Sequence, residues 1–522
     1  MFAMLDMRML RPGNVRWLLE GDAANVFLGW QFFRFEAWHL PPGAARDFGQ
    51  AIGSSIVYSD SIPLLALALK PFSALLPEHF QFLGLWMVAC FALQGLFAWL
   101  VAGLVTKHPV QRAATALMLC AGPIVAQRAF GHFGLMAHWL LLAGFWLSLA
   151  PPRRRATLAW CVLLAVAALV QAYLLYMVLA IWLATWLRRS LVDRDWSWIA
   201  AVAQPLAIVA TLLATLWIAG YFTLPGETIK ANADLYGRYA ADLNAYFNPQ
   251  WGSRFLPGLK VGTNGFESYN YLGLGALALV AVAACAFALR RPQGWRRHVF
   301  LALAALAWWG IAVTNEVRLN DEIVLSFPLP ESMRDHVAIV RSSGRFAWLL
   351  GYLLVIAAAA CVVRACKPLL ATAILCAAVV VQGTDQQPRI TQLRQVFADR
   401  PDPAPLLRDR FWEQAARRYR HVVYVPVRAS AQDWPQVGLF AADHRMTFNS
   451  GIFARVPVDA MMRADAEAKA QLAHGPLRMD TLYIVWPGRD EGPFPVNPPQ
   501  DALDATIDGL HVVAPGWNAT PR

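Results

Sequence analysis

Stretches of about 17 to 25 apolar residues, the length that carries an α-helix across the hydrocarbon core of a bilayer, recur along this chain and constrain it more than any other feature. They fall at roughly 80–105, 110–126, 130–149, 157–173, 174–187, 198–222, 271–289, 298–314, 347–363 and 368–382. A soluble domain has no core in which to hide ten such segments, so the expected fold is an α-helical polytopic membrane protein. Composition agrees, with 57% of residues hydrophobic, 15% charged and a mean hydropathy of +0.41. Soluble domains average about 45–50% apolar and 25% charged residues. Seven cysteines lie in or beside the apolar segments with no CxxC spacing, which points to packing rather than to a disulfide framework or a zinc site.

A net charge of +11 in a soluble protein would raise the question of nucleic acid. Here much of the excess sits in short connectors between apolar spans, so it reads as topology and no nucleic-acid partner is implied. By the positive-inside rule, Lys107/Arg112, Arg153/Arg154/Arg155, Arg188/Arg189, Arg290/Arg291/Arg296/Arg297 and Arg364/Lys367 face the cytoplasm. Ten spans put all five connectors on one side. Reading 157–187 as one long tilted helix breaks the alternation, so two helices are expected there. The exported side then receives Glu20–Pro63, the turn Gln127–Gly131, the loops 223–270 and 315–346, and everything after Val381.

The apolar segment 62–77 carries Lys70-Pro71 at its middle, and a crossing there would flip the first basic connector outward. It reads as a re-entrant or interfacial helix. Residues 1–79 then form an exported first loop with no apolar segment ahead of it, and a preceding transmembrane helix is expected to be missing. Residues 80–382 form the helical domain. The polar, Pro-rich tail 383–522 predicts a small periplasmic α/β or α+β domain, with a helix at 408–419 and strands at 421–427, 481–486 and 509–515. No Gly-rich phosphate loop follows any of these strands.

Candidate chemistry concentrates in the exported loops. Glu20 and Asp22 stand two apart just before the amphipathic-looking NVFLGWQFFRFEAW. Two carboxylates at that spacing can converge on one cation or one hydroxyl, and low-dielectric surroundings raise a carboxylate toward general-base range; Asp22 also fits an ordinary helix N-cap. Asp60 suits a cap for the helix expected from Ile62, with Pro63 in its first turn. Arg341 and Arg345 run against the positive-inside bias; on one helical face beside a helix N-terminus they would fork a phosphate, or else snorkel at the interface. Arg128 and His132 start the span at 130, and His132 and His138 are too far apart on a helix to pair on a metal. Glu267, Tyr269 and Tyr271 stand at the mouth of the span at 271, where they would line a sugar cleft or form an aromatic belt.

The runs WLLEGDAANVFLGWQFFR, SSIVYSDSIPLLAL, FQFLGLWMVACFALQG, ESYNYLGLG and RSSGRFAW resemble an uncharacterised family of bacterial inner-membrane proteins, related in architecture to the GT-C class of polytopic glycosyltransferases. GT-C enzymes carry an acidic ExD- or DxD-like motif in the first exported loop, and Glu20-x-Asp22 matches its type and place. The resemblance implies transfer of a sugar from a polyprenyl-phosphate donor to a lipid, glycan or protein acceptor at the periplasmic face of the inner membrane. It makes Asp22 the base or acceptor-orienting group, with Glu20 and Asp60 beside it, and permits a divalent cation (Mg or Mn) on Glu20 and Asp22. Arg341 and Arg345 would hold the leaving phosphate. A non-catalytic transporter or assembly factor for lipid-linked glycans is the alternative; charges at span ends rather than mid-span favour the transferase.

Overall fold

A computed structural model describes residues 7–50, 52–151, 155–194, 196–224, 236–261, 265–290, 294–398, 406–427, 434–485 and 496–518. Arg153, Arg154, Arg291 and Trp486 lie outside the described residues. Among the described residues, seven helices are long and apolar enough to cross a membrane: Leu83–Val105, Pro109–Arg128, Ala172–Asp193, Trp198–Ala219, Arg296–Val313, Ser343–Ala365 and Pro368–Asp385. Shorter apolar helices, Phe133–Leu149, Ala156–Val170 and Leu274–Arg290, occupy the other three places where spans are expected. The protein is therefore multi-pass and mainly helical. Within 157–187 there are two helices, because Gln171 takes extended backbone between Val170 and Ala172.

The chain divides into two compact units. One comprises Met1–Met7, Leu83–Thr215 and Asn232–Asp399; the other comprises Arg8–Phe82, Leu216–Ala231 and Arg400–Arg522.

In the helical unit, Pro opens Pro109–Cys120, Pro123–Arg128 and Pro368–Asp385 at the first turn, where its missing N–H leaves nothing unpaired. The second of these prolines interrupts the span at 109–128. The side chains of Gln382 and Gln386 donate to the carbonyl of Ala121 at that break, at 3.2 and 2.5 Å, supplying partners that lipid does not. Helix Leu274–Arg290 packs against both Ala347–Ala365 and Pro368–Asp385. Gly275 permits the close approach, since a Cβ there would run into the backbone of Ala378 and Gln382.

Hydrogen bonds tie the five basic connectors together at one end of this unit. Arg188 donates to the carbonyl of Ser148 at 2.7 Å, and Arg297 forks Asp193 at 2.8 and 2.9 Å. Arg290 reaches the carbonyl of Ala365 at 3.0 Å, and Gln111 that of Pro368 at 3.1 Å. Following helices 172–187, 274–290, 347–365 and 368–385 away from these connectors leads to Tyr173, Glu267, Arg345 and Asp385 at their opposite ends.

The second unit is built on a five-stranded sheet. With β1 (Glu316–Leu319) and β2 (Glu322–Ser326) forming a separate hairpin, its strands are β3 (His421–Val425), β4 (Thr447–Phe448), β5 (Thr481–Val485), β6 (Leu503–Ile507) and β7 (Leu510–Ala514), in the order β4-β3-β5-β7-β6. The first three are parallel, and β7 pairs antiparallel with both neighbours. Asp508-Gly509 closes the β6–β7 hairpin with positive φ at both residues, as a two-residue turn between right-twisted strands needs.

The stretch 20–63 is part of this unit's core. Helix Gly21–Phe33 is buried at every residue from Ala23 to Phe33, which corrects the amphipathic reading. Phe48 extends the sheet beside Phe448, and the rings of Phe32, Phe48 and Phe448 stack at 5.1 and 6.5 Å. Asn25 accepts from the backbone of Ile452 at 2.9 Å, and His79 meets Asp443 at 2.8 Å. Two of the charges in this stretch, Arg34 and Glu36, are buried against backbone. Arg34 donates to the carbonyls of Ser73, Pro77 and Glu78, while Glu36 accepts the amides of Arg46 and Asp47, both at 3.0 Å. The apolar helix at 63–75 starts at Pro63 with Ile62, not Asp60, at the N-cap position and no side-chain cap, which corrects the capping role expected of Asp60.

Candidate functional site

At the end of the helical unit opposite the basic connectors, Glu267 gathers two arginines and a histidine. It lies in the short helix Gly265–Ser268, ahead of the span that begins at Leu274. Arg345, in the turn Ser343–Phe346 that leads into helix Ala347–Ala365, grips it as a fork: Nε donates to Oε2 and Nη2 approaches Oε1, both at 2.9 Å. Arg128, the last residue of helix Pro123–Arg128, donates to Oε2 at 3.0 Å and to the Glu267 carbonyl at 3.5 Å. His132 Nε2 stands 3.1 Å from Oε1.

These groups are held by rings. The Arg345 guanidinium lies 4.7 Å from the ring centre of Tyr173, whose hydroxyl accepts from the amide of Ser342 at 2.8 Å. Arg128 lies 5.2 Å from the Trp348 ring, which packs in turn on His138 at 4.3 Å. Asn270 donates to the Gly344 carbonyl at 3.1 Å, tying the Glu267 segment to the Arg345 turn.

Little water reaches this network: the Arg128, Arg345 and Glu267 side chains are 0%, 9% and 12% exposed. Burial works against ionisation of Glu267, but Arg345, Arg128 and the His132 hydrogen bond outweigh it and hold the carboxyl well below the usual carboxylate range. Glu267 is thus an anion at any physiological pH, and two guanidinium cations face one carboxylate.

A further buried cation adjoins this network. Arg389, on helix Gln387–Ala398, is fully buried between the rings of Trp251 and Tyr269, 3.6 and 4.2 Å from their centres. Its Nη1 donates to Gln127, the neighbour of Arg128. Among the described residues Asp385 makes no direct ion pair with it; its oxygens accept from the hydroxyls of Ser253 and Tyr271 and the amide of Leu274.

Of the residues singled out in the sequence, Arg128, His132, Glu267 and Arg345 therefore come together. Tyr269 and Tyr271 are buried at 1% and 0%, Tyr269 against Arg389 and Tyr271 on Asp385, so they form neither a headgroup belt nor an open sugar-binding wall. Arg341 lies in the turn ahead of Ser343–Phe346 rather than one helical turn below Arg345 on a shared face, and it is partly exposed. Glu20, Asp22 and Asp60 belong to the other unit, where all three are exposed. Glu20 occupies the N-cap position of helix Gly21–Phe33 without a side-chain cap bond, and Asp22 sits in its first turn, so the cap position falls two residues earlier than expected. Among the described residues no three His, Cys, Asp or Glu side chains gather as a metal site.

A family model described as a domain of unknown function, DUF6311, matches residues 1–387, and the DUF6311 C-terminal domain matches residues 411–515. The chain belongs to the DUF6311 family. Comparison with curated proteins gives no match. The first DUF6311 match takes in Glu20, Asp22, Arg128, Glu267 and Arg345, and the second takes in β3 through β7. Arg389 lies between the two matches, and sequence reasoning passed over it. The signal was the one that marked Arg341 and Arg345, a cation just beyond an apolar span on the side away from the basic connectors.

Proposed function

We propose that this DUF6311 protein is a membrane glycosyltransferase of GT-C type. It moves a sugar from a polyprenyl-phosphate donor to a lipid, glycan or protein acceptor at the periplasmic face of the bacterial inner membrane. The observation that carries the reading is the buried positive charge at one end of the helical unit. Arg128, Arg345 and Arg389 are shielded from water, Glu267 pairs with the first two, and Arg389 has no carboxylate within ion-pair distance among the described residues. A buried uncompensated charge costs several kcal/mol, and a phosphate group supplies both the missing charge and the oxygen acceptors that guanidinium groups favour.

The positive-inside rule supports the side. The basic connectors meet at the other end of the same helices, so the arginine cluster faces outward when they face the cytoplasm. Nucleotide-linked sugars are absent there, which favours a lipid-linked donor.

In the proposed reaction an acceptor hydroxyl oxygen bonds to the anomeric carbon while the bond from that carbon to the phosphate oxygen breaks, with inversion. The polyprenyl phosphate leaves with the bonding pair, its charge met by the arginines. The hydroxyl proton passes to a carboxylate, for which the GT-C resemblance nominates Asp22, with Glu20 beside it. Complementation of a deletion strain tests this with Asp22→Asn and Arg345→Lys variants produced at normal level. Loss of one surface glycan modification in both is expected; unchanged product in both overturns the assignment. Unchanged product with Asp22→Asn but loss with Arg345→Lys favours a phosphate-lipid transporter.

A further inference from the structure

We propose that the unit containing the sheet carries a lipid-insertion face, made by helix Pro63–Leu75 and the loop at Trp38 and Leu40. This face sinks into the boundary between headgroups and acyl chains. What it takes up is the apolar part of ordinary phospholipids, whatever their headgroup charge.

The helix is built inside out. Seven residues of α-helix, Pro63–Leu69, run on into a 3-10 segment, Lys70–Leu75. Its buried residues are Pro63, Ala66, Lys70 and Ser73, spaced as one helical stripe. Every other position from Leu64 to Leu76 is Leu, Ala, Pro or Phe, with Phe72 54% and Leu75 83% exposed. A helix packed on a core in water has the reverse arrangement, apolar residues inward and polar ones outward. The charge of the segment is turned in: Lys70 Nζ lies 3.9 and 4.6 Å from the ring centres of Phe33 and Trp38 and donates to the Ala37 carbonyl at 3.4 Å. Lys70 thereby fastens the helix to the loop in which Trp38 and Leu40 are 52% and 77% exposed.

Crossing a bilayer takes about 20 apolar residues, and this helix is shorter and held at both ends. Ser61 donates to the carbonyl of Val26 at 2.7 Å ahead of it, and Gln31 to that of Glu78 at 2.8 Å beyond it, so both ends are tied to helix Gly21–Phe33. The occupant follows from what adjoins the face. Leu216–Ala219, the last turn of the apolar span Trp198–Ala219, belongs to the same unit. The amide of Gly43 donates to the Ile218 carbonyl at 2.8 Å, and a Cβ on Gly43 would strike the carbonyl of Ala219. The loop is thus seated where that span ends, and there Trp217 and Phe222 are exposed as well. A protein partner would require hydrogen bonds, about one per 100–200 Å². Ser61, Lys70 and Ser73, the polar side chains between 61 and 77, are all buried. Acyl chains require none, and with no exposed Lys or Arg on the helix, insertion rests on apolar area alone.

The test places the photoreactive residue p-benzoylphenylalanine at Leu75 or at Leu40 of the full chain in phosphatidylcholine nanodiscs. Gln414, exposed on helix Arg410–Arg418 of the same unit, is the reference position. Adducts formed on irradiation are identified by mass spectrometry. Phospholipid adducts at least tenfold above the reference are expected at both positions. Replacing about a third of the lipid by phosphatidylglycerol is expected to change the yield less than twofold. A yield at either position no higher than at Gln414, or adducts with a second copy of the chain in place of lipid, overturns the insertion face. A yield that rises more than threefold with the anionic lipid overturns its independence of headgroup charge.

Discussion

At the level of single residues, charge imbalance decides what each group does. Glu267 is the counter-ion of two buried arginines, so Glu267→Gln leaves both cations without one. The expected loss is about 3–5 kcal/mol of unfolding free energy, as for other buried pairs broken on one side, read by chemical denaturation in detergent. An unchanged midpoint would mean that water or lipid already compensates Arg128 and Arg345. Glu36 behaves oppositely. Burial, opposed by the amides of Asp47 and Arg46, pushes its carboxyl up to about 7, with Asp47 and Lys70 nearby. Because the folded state holds this proton more tightly than the unfolded chain, Glu36 contributes fully below pH 4.5, and the contribution is lost as pH rises toward 7. The difference is on the order of 3 kcal/mol. Glu36→Gln is expected to flatten that part of the stability profile, measured by thermal unfolding between pH 4.5 and 7.5. The sequence made Arg128, His132, Glu267 and Arg345 visible, because a charge at a span end away from the basic connectors needs a reason. It could not show that Glu267 occupies the fork of Arg345, since that pairing joins residues 78 positions apart through packing alone.

Among the elements, apolar length and strand alternation were legible, whereas long-range partnership was not. The helix at 410–418 and the strands beginning at His421, Thr481 and Leu510 stand where periodicity places them. The stretch 20–63 stands out in sequence for its aromatics and charges; some of its partners come some 400 residues later, where Phe448 meets Phe48 and Ile452 meets Asn25. Phe48 is 1% exposed, stacks on Phe32 and packs against the tilted ring of Phe453. Phe48→Ala is expected to remove about 3–5 kcal/mol from the unit containing the sheet. Limited proteolysis should show that residues 8–82 and 406–518 become susceptible together. Cleavage of the tail alone would mean that the first loop and the sheet are separate folding units.

For the whole molecule, the helical unit is polarised. Basic connectors meet at one end, and the buried arginines Arg128, Arg345 and Arg389 sit at the other. The first property follows directly from the composition of the loops. The second depends on Arg389 reaching Gln127, which spacing does not reveal. The central claim is that these buried arginines hold a phosphate-bearing lipid. Native mass spectrometry of the full chain, extracted gently from its own membrane, tests that claim most directly. The account predicts a retained phosphate-containing polyprenyl lipid on the wild-type protein, and its loss from Arg345→Lys. A wild-type protein that carries no such lipid, or a variant that carries it undiminished, would contradict the account.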